Sequence, residues 1–499
     1  MTAMEDLIER AQELADIGAA SAVLAWDQET MMPAKAIASR AFQLATLQGI
    51  YHERLTHPAT GDLVARLSDA PPSVLSATER AMVRELKRER DRAVKVPTEL
   101  VKRVAEAASR GIEIWRHARE ISDFGAFQPA LSEMVELKKQ VADCVGYEGT
   151  PYNALLDEYE PGLTQTQTAE VFAGLRVHTV RLLGDLQSSF RSHDRAILER
   201  RYDPDRQLSF TVDVLKSMGY DFQAGRQDLS THPFTTSFHP QDVRITTRVQ
   251  ERDGASALMG SIHEGGHALY EQGIALALAR TPLGSGTSLG IHESQSRLWE
   301  NFVGRSDPFW EYFYPQFKSA FPDALGDVER DDFLRALNVV SPSLIRVEAD
   351  EVTYNLHIIL RFEIESMLFG NDARVADLPD IWNTKMRDYL GIVPTTAADG
   401  VLQDIHWSFG ALGYFPTYAL GNLYAAQLYA TLRKQFPDFD DRLRSGDLVF
   451  LREWLRDNIH QFGRTYTASE LIVRVTGEPL NPTYLTTYLR TKYGELYGL

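Results

Sequence analysis

The stretch Leu258-Met259-Gly260-Ser261-Ile262-His263-Glu264-Gly265-Gly266-His267-Ala268-Leu269-Tyr270 decides how this chain is read. Residues four apart on a helix share a face, so His263 and His267 stand side by side. Two imidazoles on one face can grip one divalent metal, zinc first among them. Glu264, one residue on, then lies beside a water held by the metal and acts as general base. The apolar flanks imply that the pair is buried. Gly265 and Gly266 each cost about 1 kcal/mol relative to Ala in a helix interior. They read as clearance beside the metal. The alternative is a packing helix that happens to carry two histidines.

A catalytic zinc takes three protein ligands and keeps one position open. A third histidine six residues after His267 is absent, because position 273 is Gly and position 270 is Tyr. The third ligand is therefore sought as a carboxylate on a later element. Glu293, in Gly290-Ile291-His292-Glu293-Ser294-Gln295-Ser296-Arg297, is the first candidate. Ile291, Leu298, Trp299, Phe302 and Val303 recur there at helical spacing. Ser288 is placed to cap that helix after the turn Gly284-Ser285-Gly286. An acidic residue opposing the helix dipole is the competing reading of Glu293. Glu271 and Glu300 are weaker candidates on the same two helices.

Upstream, Phe234-Thr235-Thr236-Ser237-Phe238 and Val243-Arg244-Ile245-Thr246-Thr247-Arg248-Val249 are rich in β-branched and aromatic residues. They read as two strands around a turn at His239-Pro240. A strand edge leading into the His-Glu helix can hydrogen-bond an extended peptide backbone. Elsewhere the spacing is helical. Leu7, Ile8, Ala11, Leu14 and Ala15 open a first amphipathic helix. Residues 77–121 read as two charged helices broken at Pro97, and helical patterns follow near 128–146, 166–195 and 209–218. The segment Trp26-Asp27-Gln28-Glu29-Thr30-Met31-Met32-Pro33 is polar, aromatic and ends at a breaker. The sum is a mainly α protein with a small β-sheet beside the His-Glu helix. It reads as one unit, with a helical lobe over about 1–200 and a metal-site lobe over about 201–499.

Composition narrows the partners. The 499 residues carry 52 basic and 69 acidic side chains, a net charge of −17. That disfavours nucleic acid and anionic membrane surfaces, both of which need a basic field. Cys144 is the one cysteine, so no intrachain disulfide forms and a reducing, cytoplasmic home is expected. The acidic N-terminus shows no signal-peptide pattern, and no run of about 18 apolar residues predicts a membrane span.

The chain resembles the carboxypeptidase Taq family of metallocarboxypeptidases. The likeness extends beyond His263–His267 to His232-Pro233-Phe234, Asp242-Val243-Arg244-Ile245-Thr246 and His292-Glu293-Ser294-Gln295. It continues through Ile345-Arg346-Val347-Glu348-Ala349-Asp350 and Gly400-Val401-Leu402-Gln403-Asp404-Ile405-His406-Trp407, and includes the Trp26 to Pro33 segment. The resemblance implies His263, His267 and Glu293 as metal ligands and Glu264 as general base. It implies a helical, groove-shaped metallopeptidase, a homodimer, and zinc that cobalt can replace. It implies stepwise removal of C-terminal residues from peptides with a free C-terminus and broad side-chain preference.

Such a reaction also needs an oxyanion donor and a cation for the terminal carboxylate. His406 and a tyrosine from Gly413-Tyr414-Phe415-Pro416-Thr417-Tyr418 are the donor candidates. Similarity to related groove-shaped metallopeptidases favours Tyr418 over Tyr414, which is left a substrate contact. Arg346 is the first choice for the carboxylate and Arg244 the second, since Arg recognises carboxylates bidentately. An ion pair of Arg346 with Asp350, four residues on, is the structural alternative. Asp350, Gln403 and Asp404 are alternatively groups that orient ligands or Arg346, and His232 and His292 have no assigned role. A metallo-oligopeptidase cutting short peptides internally is the competing activity. A non-catalytic peptide binder with a structural metal is disfavoured by Glu264.

Overall fold

The computed structural model describes residues 2–71, 73–189 and 194–499. The opening helix, Ala3–Thr30, starts on a capping box between Thr2 and Glu5 and buries Leu7, Ala11 and Leu14. The Trp26 segment supplies its last turn. Pro97 stands between Ala77–Lys95 and Thr98–Glu120, as the spacing predicts. Helices Phe124–Val145 and Pro204–Met218 fall where expected, and Gln165–Gln187 covers most of the 166–195 pattern. Residues 190–193 of that pattern lie outside the described residues.

The sheet has three strands, β1 (Gly225–Leu229), β2 (Thr235–His239) and β3 (Asp242–Thr247), in the order β1-β3-β2. β2 and β3 form the expected antiparallel hairpin, with a bulge between Ser237 and His239. β1, Gly-Arg-Gln-Asp-Leu, carries no β-branched signal and pairs parallel to β3. Val243 and Ile245 of the central strand are fully buried.

Backbone contacts divide the chain into two compact units, each built from three segments. The first comprises Met1–Val94, Asp194–Leu337 and Leu428–Pro479. The second comprises Lys95–His193, Asn338–Gln427 and Leu480–Leu499. The opening helices thus group with the sheet and the His-Glu helix.

That helix, Ser256–Gly273, lies in the first unit and is buried on nearly all sides. Asp253 Oδ1 caps it by accepting the amides of Ala255 and Ser256. The glycine pair has a different purpose from clearance beside a metal. A Cβ on Gly266 would lie 2.6 Å from the Gln295 carbonyl oxygen and 2.7 Å from Ser296 Cα. A Cβ on Gly265 would lie 2.6 Å from Leu215 Cδ2, on the helix Pro204–Met218. The glycines make room for two neighbouring helices. One of them, Leu289–Arg297, carries Glu293, and Ser288 caps it by accepting the Ile291 amide at 3.1 Å. It continues as a π-helical turn, Leu298–Val303, that carries Glu300.

Candidate metal centre and its surroundings

The close approach at Gly266 brings three side chains of the first unit together. His263 Nε2 and His267 Nε2 lie 3.8 and 3.5 Å from Glu293 Oε2. Ligand atoms about 2.1 Å from a tetrahedral metal are separated by about 3.4 Å, so this spacing fits one ion. His263, His267 and Glu293 are the group among the described residues whose donors converge in this way. Two imidazoles and a carboxylate suit zinc chemically. Burial pushes His267 down to about 4, with His292 and His263 adding to it against the pull of Glu293, so the ring is neutral at pH 7. Burial opposes ionisation of Glu293, yet Arg297 and the two histidines hold it well below the usual carboxylate range.

Arg297 orients that carboxylate. Its Nε donates to Glu293 Oε1 at 2.7 Å, which turns Oε2 toward the histidines. The same guanidinium reaches Glu300 Oε2 at 3.2 Å. Glu300 Oε2 lies 2.8 Å from His263 Nδ1, the nitrogen turned away from Glu293. Burial resists its charge, but Arg297 and His263 bring Glu300 down to about 2. On the other histidine, Nδ1 lies 2.6 Å from His292 Nδ1, and His292 Nε2 lies 2.9 Å from Glu271 Oε1. Glu271 and Glu300, the weaker ligand candidates, thus lie on the Nδ1 sides of the two histidines, Glu271 by way of His292.

Glu264 is held apart from the ligands. Thr235, the first residue of β2, donates to Glu264 Oε2 at 2.7 Å. Burial raises the Glu264 carboxyl above its ordinary value, against His263 and the Thr235 hydrogen bond. β2 is an edge strand, and a cavity of about 660 Å³ lies beside it, bordered by Thr235, Ser237, Glu271 and His292. Arg244 sits on β3, where Asp242 takes its fork at 2.8 and 2.9 Å. Its guanidinium stacks 4.4 Å from the Trp26 ring and 4.9 Å from Phe238.

The second unit gathers the remaining candidates around Asp404. Arg346 is buried in the turn Arg346–Glu348 and donates to Asp404 Oδ1 through Nε at 3.0 Å and Nη2 at 2.7 Å. Arg361 donates to Asp404 Oδ2 at 2.7 and 2.5 Å. The cluster therefore carries one excess positive charge. The Arg346 amide donates to Gln403 Oε1 at 2.9 Å, and Nη1 donates to Tyr354 at 3.2 Å. Asp404 and Gln403 hold Arg346, as the alternative reading has it, whereas Asp350 instead accepts the Val352 and Thr353 amides. His406 packs against Phe415, Tyr414 and Tyr418 at 4.5, 5.4 and 6.4 Å. Burial pushes His406 down to about 4, so it is neutral and carries an N–H.

Sequence reasoning misses Thr235, Arg297, Arg361 and the partners of His263 and His267. Only Arg297 leaves a local signal, being four residues after Glu293 and three before Glu300.

The model of the carboxypeptidase Taq (M32) metallopeptidases matches residues 6–493. Thermostable carboxypeptidase 1 of Thermus thermophilus is 41% identical over 506 residues, covering 99% of each chain. Carboxypeptidase 1 of Bacillus subtilis is 40% identical over 494 residues, covering 99% of this chain and 98% of that one. The crystal structure of an M32 carboxypeptidase from Deinococcus radiodurans R1 superposes with a TM-score of 0.97 at 41% identity over 100% of both chains. Fold and matches together define a peptide hydrolase that works with a divalent metal. The chain belongs to the carboxypeptidase Taq (M32) family. Its activity is that of a metallocarboxypeptidase, and internal cleavage is not favoured.

Proposed function

We propose that this metallocarboxypeptidase holds one zinc ion on His263, His267 and Glu293, with cobalt a substitute, and uses Glu264 as its base. The observation that carries the reading is the convergence of two Nε2 atoms on Glu293 Oε2 beside a buried, separately held Glu264. When bound, the ion polarises the scissile carbonyl and eases ionisation of a water to about neutral pH. Thr235 occupies Glu264 Oε2, which leaves Oε1 to take the proton of the attacking water. Glu264 then returns that proton to the leaving amine. A raised carboxyl pKa suits both transfers.

The position of β2 at the edge of the sheet, beside the cavity, supports an extended substrate backbone. Arg346 is assigned the terminal carboxylate: Asp404 and Tyr354 take three of its five N–H donors, and a carboxylate takes the other two. Arg244, with its fork committed to Asp242, is the lesser choice. Neutral His406 and the Tyr418 hydroxyl are assigned the developing oxyanion, with Tyr414 as a packing contact of substrate. The homodimer rests on the family resemblance. The helix Ile37–Thr56 supports it by exposing Ile37, Phe42 and Ile50, with Phe42 76% exposed. Cys144 as the sole cysteine supports a cytoplasmic setting, and no helix among the described residues is long and apolar enough to cross a membrane.

The test is a time course by mass spectrometry on zinc-loaded protein with one peptide, C-terminally free or amidated. The expected result is a ladder of single C-terminal losses from the free peptide alone. Glu264→Gln is expected to stop hydrolysis with zinc still bound. Equal cleavage of the amidated peptide refutes the carboxylate requirement, and an active Glu264→Gln protein removes Glu264 from the mechanism.

A further inference from the structure

The two histidines of the centre are supported differently. His263 Nδ1 meets a carboxylate directly, on Glu300 at 2.8 Å. His267 Nδ1 meets another imidazole, and only that imidazole meets a carboxylate. We propose that Glu271 and His292 form a relay that fixes the tautomer and orientation of His267 toward the metal. The proposal rests on the metal-site reading above.

The hydrogen assignments along the chain close in one direction only. Glu271 Oε1 already accepts the Gly286 amide at 3.2 Å, so it is an acceptor. His292 must present Nε2–H to it, and a ring with that single hydrogen keeps Nδ1 as an acceptor. His267 Nδ1, 2.6 Å away, must then carry its hydrogen. That leaves the lone pair of His267 Nε2 bare, on the side where Glu293 Oε2 lies at 3.5 Å. The opposite assignment puts a hydrogen on His267 Nε2, which cannot then bind a metal. It also sets the His292 Nε2 lone pair against a carboxylate. The ring of His292 is held in place by packing. The Tyr270 ring lies 5.1 Å from it at a tilt of 45°, and a Cβ on Gly286 would come within 2.7 Å of His292 Cδ2. A carboxylate–histidine support of a ligand is common behind metals, and here it is extended by one ring.

The test uses the full-length protein, stripped of metal. Zinc affinity is measured by competition with a chromophoric chelator, and the cobalt-loaded form by its visible absorption. His292→Phe is expected to weaken zinc binding by about 10- to 100-fold and to shift the cobalt spectrum. Glu271→Gln, which keeps an acceptor but loses the charge, is expected to cost about fivefold. Added to His292→Phe, Glu271→Gln is expected to cost nothing further, because it acts through His292. His292→Gln, which restores an acceptor, is expected to recover part of the affinity and serves if His292→Phe does not fold. Melting of the metal-free proteins monitors the fold itself, since packing loss alone lowers the melt without this pattern. Additive costs of the two substitutions, or an unchanged affinity and cobalt spectrum in His292→Phe, overturn the relay. Glu293→Ala is run alongside. Wild-type zinc binding there removes the metal-site reading, whereas zinc loss there with an unaltered His292→Phe removes the relay alone.

Discussion

Alanine at Gly266 isolates the contact that assembles the centre. The new methyl group would stand 2.6 Å from Gln295 O, 2.7 Å from Ser296 Cα and 2.9 Å from Gln295 C, all backbone atoms. Relief to 3.4 Å, where ordinary contact begins, needs the helix Leu289–Arg297 to retreat by about 0.8 Å. Glu293 rides on that helix and moves with it. Metal sites tolerate about 0.2 Å in ligand distance, so the ion must lose a bond or stretch it. Zinc affinity is expected to fall at least about tenfold, and turnover by about 100-fold, the usual cost of a 1 Å misplacement. Stability moves less: overpacking costs about 1–3 kcal/mol and the Ala gains back about 1 kcal/mol of helix propensity. Gly265→Ala is the control. Its methyl group meets the ends of Leu215 and Met218, which can swing aside, so metal binding and turnover should stay within about twofold. Chelator competition, peptide turnover and melting of the metal-free proteins measure all three quantities. A Gly266→Ala protein with wild-type zinc affinity and turnover refutes the argument that this helix contact sets the ligand geometry.

Arg346→Lys keeps a charge beside Asp404 but loses the bidentate fork, so KM for peptides with a free C-terminus should rise about 10- to 100-fold; an unchanged KM removes Arg346 from carboxylate binding. Burial raises the Glu365 carboxyl to about 7, against donors on Tyr152, Trp407 and Gly413 at 2.6, 2.7 and 2.9 Å. The fold therefore holds this proton more tightly than the unfolded chain does. The contribution is complete below about pH 4.5 and is lost as pH rises through about 7, on the order of 3 kcal/mol. Denaturant unfolding of Glu365→Gln should lack that part of the decline, and parallel pH curves for the two proteins contradict it. If the proposed dimer forms through Ile37–Thr56, Phe42→Glu should be a monomer by light scattering where the unaltered protein is a dimer; a dimeric variant moves the proposed interface elsewhere.

The parts of the centre that were legible in the sequence are those with a fixed local period. His263, Glu264 and His267 declare themselves because a helix puts position i+4 beside i. Ser288 declares a helix start because its hydroxyl serves the Ile291 amide. Glu293 ranks ahead of Glu271 and Glu300 from its place in the sequence, but spacing alone does not separate a ligand from an acid that opposes the helix dipole. Thr235 and His292 bond to residues 29 and 25 positions away, and no spacing rule reaches that far. β1 leaves no sequence signal because its pairing with β3, not its own composition, makes it a strand. The cost of the glycine pair in a helix is visible in the sequence, but the neighbouring helices that need the space are not.

The three-segment make-up of the first unit has a consequence for synthesis. The loop before Glu293 and the helix that carries it are fastened by residues made far later. Arg464 donates to the Gly286 carbonyl at 3.1 Å, and His460 bonds Gln295 at 2.9 Å. A nascent chain emerging from the ribosome carries the histidines and Glu293 long before it carries those fasteners. The enzyme's competence therefore arrives late, once the chain through Pro479 is free to fold, rather than while most of it is still being made.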